Sequence, residues 1–440
     1  MIRKAVFVIF PIPSHYLSCF PLAKALQDTN YEIIFLGHAW AKEMVENEGF
    51  KFKNFSYKEV YQLKSIRAFF GLLLLSLFET RSLLSRYREW YSSVFQILLI
   101  DKELNPTCYF VDEHLNHYFI PLHSTRKGVI IVNTKLSTKR QPYVPPLNSY
   151  FIPHKTIVAK IYCDLLWLRH ILNYRFDEIP PTLALLGKSD SFFYKRLCKK
   201  IGLNWHSTIS NNNAFYPAIK GVKTIVLAPR VLEFKVSRPC ENEIYINWPP
   251  LKNESKFITI SYLDLKVKLV ALRAQGFKVI FFAMGTTSRG YFTLVQTLLN
   301  KVTKVVCGHL DWLIVISTSG VKYDLPNSER IFTFDILPQL DLLQLTDAMI
   351  NHGGLTTVKE CLHYKVPMLI FPMNQRSDQK GNAARVESNG FGLSGKINKD
   401  SVREVEEKLV KVLDMKINIG DELYFASEIN GFIDSLQIKC

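Results

Sequence analysis

From Ile350 to Gly392 the chain reads INHGGLTTVKECLHYKVPMLIFPMNQRSDQKGNAARVESNGFG. It runs from a strand end through a glycine turn into a helix. Asp347-Ala-Met-Ile350 has the apolar character of a strand buried on both faces. Asn351-His352-Gly353-Gly354 follows as a turn, in which glycine lets backbone amides approach an anion with no side chain in the way. From Leu355 to His363 the spacing is helical, with Leu355, Val358 and Leu362 on one side and Thr356, Lys359 and His363 on another. The turn therefore opens onto a helix N-terminus, where unpaired N–H groups and the helix dipole favour phosphate. Taken alone, His352-Gly-Gly354 favours a tight turn with a capping histidine, and Glu360 a solvated helix face.

Working outward, the second half alternates strand and helix. Asp264 to Ala274 reads as a helix, and Lys278 to Ala283 as a buried strand followed by the loop Met284-Gly285-Thr286-Thr287. Tyr291 to Asn300 reads as a helix, and Trp312 to Ile316 and Ile331 to Phe334 as strands, before Ile336 and Pro338-Gln339. The first half begins the same way. Ala5 to Phe10 is a strand, Ser14-His15 begins a loop, Cys19 to Leu26 is helical and Tyr31 to Leu36 is the next strand, which makes a βαβ unit. Cys108 to Val111 is a short strand ending on Asp112, and Val129 to Val132, Thr224 to Ala228 and Ile244 to Ile246 complete the set. Loops at the carboxyl ends of such strands are where open α/β sheets bind ligands. The first loop lacks the G-x-G-x-x-G of dinucleotide enzymes, which disfavours a nicotinamide oxidoreductase. The fold expectation is α/β, with two facing Rossmann-like domains built on parallel sheets. The polar, proline-bounded segment Pro249 to Lys256 marks the boundary. It divides the chain into 1–250, 251–420 and a terminal segment 421–440 expected to pack back on the first domain.

Composition sets outer limits. The 440 residues suit two domains, and 48% hydrophobic against 21% charged residues gives a chain able to bury large cores. The net charge of +16 points to an anionic partner. No zinc-finger spacing or RNA-binding aromatic motif accompanies it, so nucleic acid is not expected. Eight scattered cysteines without a C-x-x-C pair fit reduced thiols and a cytoplasmic protein. The apolar run after Lys4 reads as a first strand rather than a signal peptide, and Ala68 to Phe78 is too short to span a bilayer. Basic and aromatic residues mixed through Phe50 to Leu99 raise peripheral contact with an anionic membrane, against a plain buried helix with a solvated arginine face. Glu113, His114 and His117 crowd the loop after Asp112, and His114-x-x-His117 could put two metal ligands on one helix face. With no further ligand pair, surface or pocket-lining polar residues are the stronger reading and no metal is expected.

The pattern H-G-G-x-T-T-V-x-E from His352 to Glu360, V-P-M at Val366 to Met368 and D-Q-x-x-N-A-A-R-V from Asp378 to Val386 resembles the donor-site signature of the UDP-glycosyltransferases. The segment P-x-P-S-H-Y-L-S-C-F-P-L-A-K-A-L from Pro11 to Leu26 resembles that family's opening, with Ser14 in place of the usual glycine. The resemblance implies the GT-B architecture, with the acceptor held mainly by residues 1–250 and the nucleotide sugar by 251–420. It implies His15 as general base, oriented by Asp112. Gly285, Thr286, His352, Gly353, Gly354 and Thr357 would meet the donor diphosphate; Gln339 and Glu360 the base and ribose, with Ile336 where plant members stack a tryptophan; and Asp378 and Gln379 the sugar. Asn382, Ala383 and Arg385 continue the match and read as packing at a helix start. The implied reaction is inverting and metal-independent and needs no cofactor beyond the UDP-sugar co-substrate. It moves a hexose, glucose first, to a hydroxyl of a small apolar or aromatic acceptor, in a protein expected to be monomeric. The rivals are a nucleotide-sugar epimerase of the same fold and a catalytically silent relative that binds a ligand or activates a partner.

Overall fold

β-Branched and aromatic runs form the central strands here because these are buried on both faces of a parallel sheet. The computed structural model describes residues 3–55, 85, 88–89, 91–125, 127–184, 190–210, 215, 218–250 and 257–420. In the first half the strands are β1 (Arg3–Val8), β2 (Tyr31–Gly37), β3 (Lys51–Asn54), β4 (Cys108–Asp112) and β5 (Gly128–Asn133). They are followed by the short antiparallel pair β6 (Ile209–Ser210) and β7 (Ala218–Ile219), then β8 (Thr224–Val226) and β9 (Glu243–Tyr245). Seven of these form one parallel sheet in the order β3-β2-β1-β4-β5-β8-β9. The second half contributes β10 (Lys278–Ala283), β11 (Trp312–Ser317), β12 (Ile331–Phe334), β13 (Ala348–Asn351), β14 (Met368–Ile370) and β15 (Gly392–Ser394). These pair in parallel as β12-β11-β10-β13-β14-β15. The chain is thus two Rossmann-like α/β domains.

In each sheet the strand order reverses once, between β1 and β4 and between β10 and β13. Loops leave in opposite directions at such a point and open a crevice at the carboxyl ends of the strands. Register places Val8 opposite Val111 and Ala283 opposite Asn351. His15 and Asp112 therefore emerge at the first switch point, and Gly285 and His352 at the second.

The domains share buried contacts. Arg385, in the Gln379–Ser388 helix, bonds Glu233 at 3.0 Å with both side chains buried. Glu233 also accepts from the Ser137 amide at 2.8 Å and the Tyr245 hydroxyl at 3.0 Å. Arg385 is thus more than packing at a helix start: it joins the domains. The Gly381 amide donates to the Leu147 carbonyl at 2.7 Å, where a Cβ would stand 2.3 Å from that oxygen. An apolar cluster runs without a break from Leu136, Leu147 and Trp167 to Leu265, Leu269 and Val358.

One expectation changes. Ser14 and His15 lie in the first turn of a helix spanning Pro13–Gln27, not in a loop before it. Proline is preset for a helix start and lacks only an N–H that would be unpaired there, so Pro13 begins the helix early. Between β5 and β6 lies a 28-residue helix, Ile157–Ala184. Most of the Phe50 to Leu99 segment, including 56–84, and all of 421–440 lie outside the described residues. Among the described residues no helix is long and apolar enough to cross a membrane.

Candidate active site

At the first switch point His15 Nδ1 lies 2.6 Å from Asp112 Oδ2. Asp112 is fully buried, and its oxygens also accept from the Phe10 amide at 3.3 Å and the His114 amide at 2.9 Å. Burial alone would raise this carboxyl, but the charge of His15 and the bonds from His114 and His15 outweigh it and hold Asp112 far below the usual carboxylate range. A carboxylate at Nδ1 selects the tautomer protonated there and leaves the lone pair on Nε2. The Thr134 hydroxyl, just past β5, lies 3.1 Å from Nδ1 and 3.5 Å from Nε2 and flanks the ring. The rings of Phe10 and His114 pack on His15 with centroids 5.6 and 5.0 Å away.

His114 Nδ1 lies 3.1 Å from Asp112 Oδ1, and burial together with the Lys135 ammonium pushes its pKa down to about 4. Ligand atoms of His15, Asp112 and His114 come within 4.8 Å of one another. His114 and His117, whose spacing would have allowed one shared helix face, are separated. The segment Glu113–Tyr118 winds as a 3-10 helix broken at Leu115, so His114 turns to Asp112 while His117 is buried against Tyr118 with ring centroids 4.5 Å apart. Glu113 points away from His15 and accepts from the Thr138 hydroxyl at 2.6 Å. Its burial, with Glu243 and Asp112 nearby, raises its pKa to about 7.

At the second switch point the His352 ring is held between two glycines. A Cβ at Gly285 would stand 2.6 Å from His352 Cε1, and one at Gly354 2.7 Å from Nε2. Gly285 also has φ 72° and Gly353 φ 85°, in the left-handed region that suits glycine. The Gly353 amide donates to Asn351 Oδ1 at 2.8 Å, and its carbonyl accepts from Asn382 at 2.8 Å. His352 Nδ1 is buried with no hydrogen-bond partner among the described residues, and burial pushes its pKa down to about 4. A neutral imidazole beside a helix N-terminus is a hydrogen-bonding group able to meet an anion. The helix begins at Leu355 and carries Thr357 in its first turn. Backbone at Thr286 starts a 3-10 turn after Gly285, while its side chain lies outside the described residues.

Gln339 donates to Glu360, which joins the two residues expected at the base and ribose. Ile336 is 57% exposed beside them. Asp378 Oδ2 accepts from Asn382 at 2.9 Å. Burial raises the Asp378 carboxyl, but Lys135 and Asn382 outweigh it and keep its pKa below the ordinary value. Gln379 Oε1 accepts the Met373 and Asn374 amides, each at 2.9 Å, so its oxygen fixes the loop ahead of Asp378.

Four residues that sequence reasoning did not assign to the site bring the halves together or complete it. Lys135 Nζ stands 3.9 Å from Asp378 Oδ1, across the cleft. Lys359 donates to the Leu227 carbonyl at 3.0 Å, and its burial pushes its pKa down to about 8. His114 and Thr134 complete the surroundings of His15. Two of them had a visible signal: His114 stands in the loop just after Asp112, and Lys359 lies inside the glycine-turn motif.

Two Rossmann-like domains with their switch points facing across a cleft define the GT-B class of glycosyltransferase folds. The solved glycosyltransferase of kitacinnamycin has the same architecture, with a TM-score of 0.63, covering 100% of this chain and 95% of its own at 13% identity. Residues 303–420 match the family model described as Erythromycin biosynthesis protein CIII-like, C-terminal domain. The mouse (Mus musculus) 2-hydroxyacylsphingosine 1-beta-galactosyltransferase is 25% identical over 325 residues, 73% of this chain and 53% of its own length. The chain therefore spans about half the length of that curated relative. An uncharacterized UDP-glucosyltransferase, YojK of Bacillus subtilis strain 168, is 29% identical over 140 residues, 29% of this chain and 32% of its own. The chain is thus similar in sequence to UDP-glycosyltransferases and shares the GT-B fold.

Proposed function

We propose that the protein transfers a hexose, glucose first, from a UDP-sugar to a hydroxyl of an apolar acceptor with inversion at the sugar carbon. The observation that supports this reading is the approach of the two strand-end sites: Lys135 of the first domain stands 3.9 Å from Asp378 of the second, whose carboxylate is also felt by His352 and lies within electrostatic reach of His114, the neighbour of the His15–Asp112 pair. His15 Nε2 takes the acceptor proton while Asp112 steadies the imidazolium that forms. The acceptor oxygen bonds to the anomeric carbon as the bond from that carbon to the diphosphate breaks, and the electron pair leaves with UDP. Negative charge grows on the diphosphate, where the amides at the start of the Leu355–His363 helix, the His352 ring and the Thr357 hydroxyl provide preorganised donors. Gln339 and Glu360 meet the nucleoside, and Asp378 with Gln379 the sugar hydroxyls. No step calls for a metal or a cofactor.

The donor assignment draws on the UDP-glucosyltransferase relative, and the apolar acceptor on the acylsphingosine relative. The test is incubation with UDP-glucose and UDP-galactose beside phenols, carotenoid alcohols and acylsphingosines, following UDP release and the mass of the glycoside. Turnover abolished by His15→Ala is expected. Failure of every nucleotide sugar to bind would sink the reading, and binding without turnover, unchanged by His15→Ala, would favour the silent relative.

A further inference from the structure

We infer that Lys135, carried by the first domain, is a sugar-binding residue of the donor site: with Asp378 it clasps one neutral hydroxyl of the transferred sugar. The inference rests on the proposed transfer, which fixes where the sugar must lie. Its anomeric carbon has to stand between the acceptor oxygen at His15 and the diphosphate at the His352 turn. Lys135 stands within this interval. Its charge is felt by His114 and Glu113 on the side of the base and by Asp378 on the side of the donor, and Asp378 in turn acts on His352.

The end of β5 sets the position. Asn133, buried there, accepts the Lys135 amide at 2.8 Å and donates to the Leu136 carbonyl at 3.2 Å. The turn so closed brings Thr134 to His15 and Lys135 to the second domain. Opposite, Asp378 Oδ2 accepts from Asn382 at 2.9 Å, and Oδ1 is the oxygen that faces the ammonium at 3.9 Å, with both side chains largely buried. That separation is longer than a hydrogen bond of about 2.9 Å. A hydroxyl oxygen accepting from the ammonium and donating to the carboxylate, through two bonds of about 2.8 Å, spans about 4.5 Å, so a slight opening admits it. The pair carries no net charge, which suits a hydroxyl; a carboxylate on the sugar would meet Lys135 but also face Asp378. A sugar lacking this hydroxyl would leave both charged groups without the bonds it supplies, the condition under which a site rejects the deoxy analogue. Both domains thus complete the sugar site, and its preference is for a neutral hexose that keeps this hydroxyl.

The test is titration calorimetry on the full chain with UDP, UDP-glucose, UDP-glucuronate and a set of UDP-glucose analogues each lacking one hydroxyl. In wild type at least one deoxy analogue is expected to bind on the order of ten- to a hundred-fold more weakly than UDP-glucose, and UDP-glucuronate more weakly as well. Lys135→Met should weaken UDP-glucose by a similar factor while UDP, which has no sugar, binds as before. In that variant one deoxy penalty seen in wild type should disappear, because the missing hydroxyl and the missing ammonium belong to the same contact. Lys135→Met/Asp378→Asn, which leaves no buried carboxylate without its cation, should show the same split between UDP and UDP-glucose and keeps the test open if the single variant folds poorly. Loss of UDP and UDP-glucose binding together in both variants would assign Lys135 to the joint between the domains and overturn the inference. So would UDP-glucose affinity unchanged by Lys135→Met, deoxy penalties that all persist in that variant, or a wild-type preference for UDP-glucuronate that Lys135→Met removes. If neither UDP nor any UDP-sugar binds wild type, the transfer reading falls and this inference with it.

Discussion

His15 Nδ1 and Asp112 Oδ2 stand 2.6 Å apart although 97 positions separate them. Asp112 ends β4 and His15 lies in the first turn of the helix that follows β1, so the contact follows from the parallel alignment of β1 with β4. Neither side chain could hold the other without that sheet. Asp112 is buried with its charge intact because His15, His114 and two backbone amides compensate it.

If His15 is the base, His15→Ala lowers kcat on the order of 10²- to 10⁴-fold with little change in the KM for the donor. Asp112→Asn lowers kcat as well, because an amide neither fixes the tautomer nor stabilises the imidazolium. UDP release under saturating donor measures both. Activity of His15→Ala within a few-fold of wild type would remove it from that role.

The glycines around His352 make a separate prediction. Gly354→Ala puts a methyl group 2.7 Å from His352 Nε2, and Gly285→Ala puts one 2.6 Å from Cε1. Gly285→Ala also forces a left-handed residue, costing about 1–2 kcal/mol. Each variant should weaken UDP binding by roughly ten-fold, about 1.4 kcal/mol, while leaving the His15–Asp112 pair untouched. Isothermal titration with UDP checks this; unaltered affinity in both variants would show that the ring is not part of the nucleotide site.

The Arg385–Glu233 pair predicts the coupling between the domains. Arg385→Met leaves a buried carboxylate without its cation and should cost about 3–5 kcal/mol. Adding Glu233→Leu should recover part of the loss, although the Ser137 amide and the Tyr245 hydroxyl then lose an acceptor. Urea unfolding of the single and double variants gives the comparison, and equal loss in both would mean that the pair itself contributes little.

Stability should fall in mild acid. Burial holds His117 at about 3 and His114 and His352 each at about 4, below the ordinary histidine value of 6.5. The unfolded chain therefore binds more protons as pH drops below 6.5, and the native state loses stability until its own groups titrate near 4 to 3. Between pH 7 and pH 5 each such histidine contributes a loss of about 2 kcal/mol. Glu113, raised to about 7, acts in the opposite sense, since its native carboxyl stays protonated while the unfolded one ionises above about 4.5. His117→Phe, which keeps an aromatic ring against Tyr118, should flatten the acid limb of a melting-temperature profile. An unchanged slope would argue against a neutral buried His117.

Strand and helix order were legible from residue pattern alone, because a strand buried on both faces must be a continuous apolar run and a half-buried helix must repeat at three and four. Lys278–Ala283 and Leu355–His363 have the bounds that this pattern predicts. The glycine turn was legible for the same local reason, since Gly353 sits where the backbone turns left-handed. Tertiary structure alone decided what crosses between elements. Which strands become neighbours brought Asp112 to His15; the packing of one domain on the other placed Lys135 beside Asp378, Lys359 on Leu227 and Arg385 on Glu233. The apolar repeat of Ile157–Ala184 could not show which of its two faces would find a core and which would be left to water. These contacts depend on distances between segments far apart in the chain, and a periodicity reports only what a residue's near neighbours require.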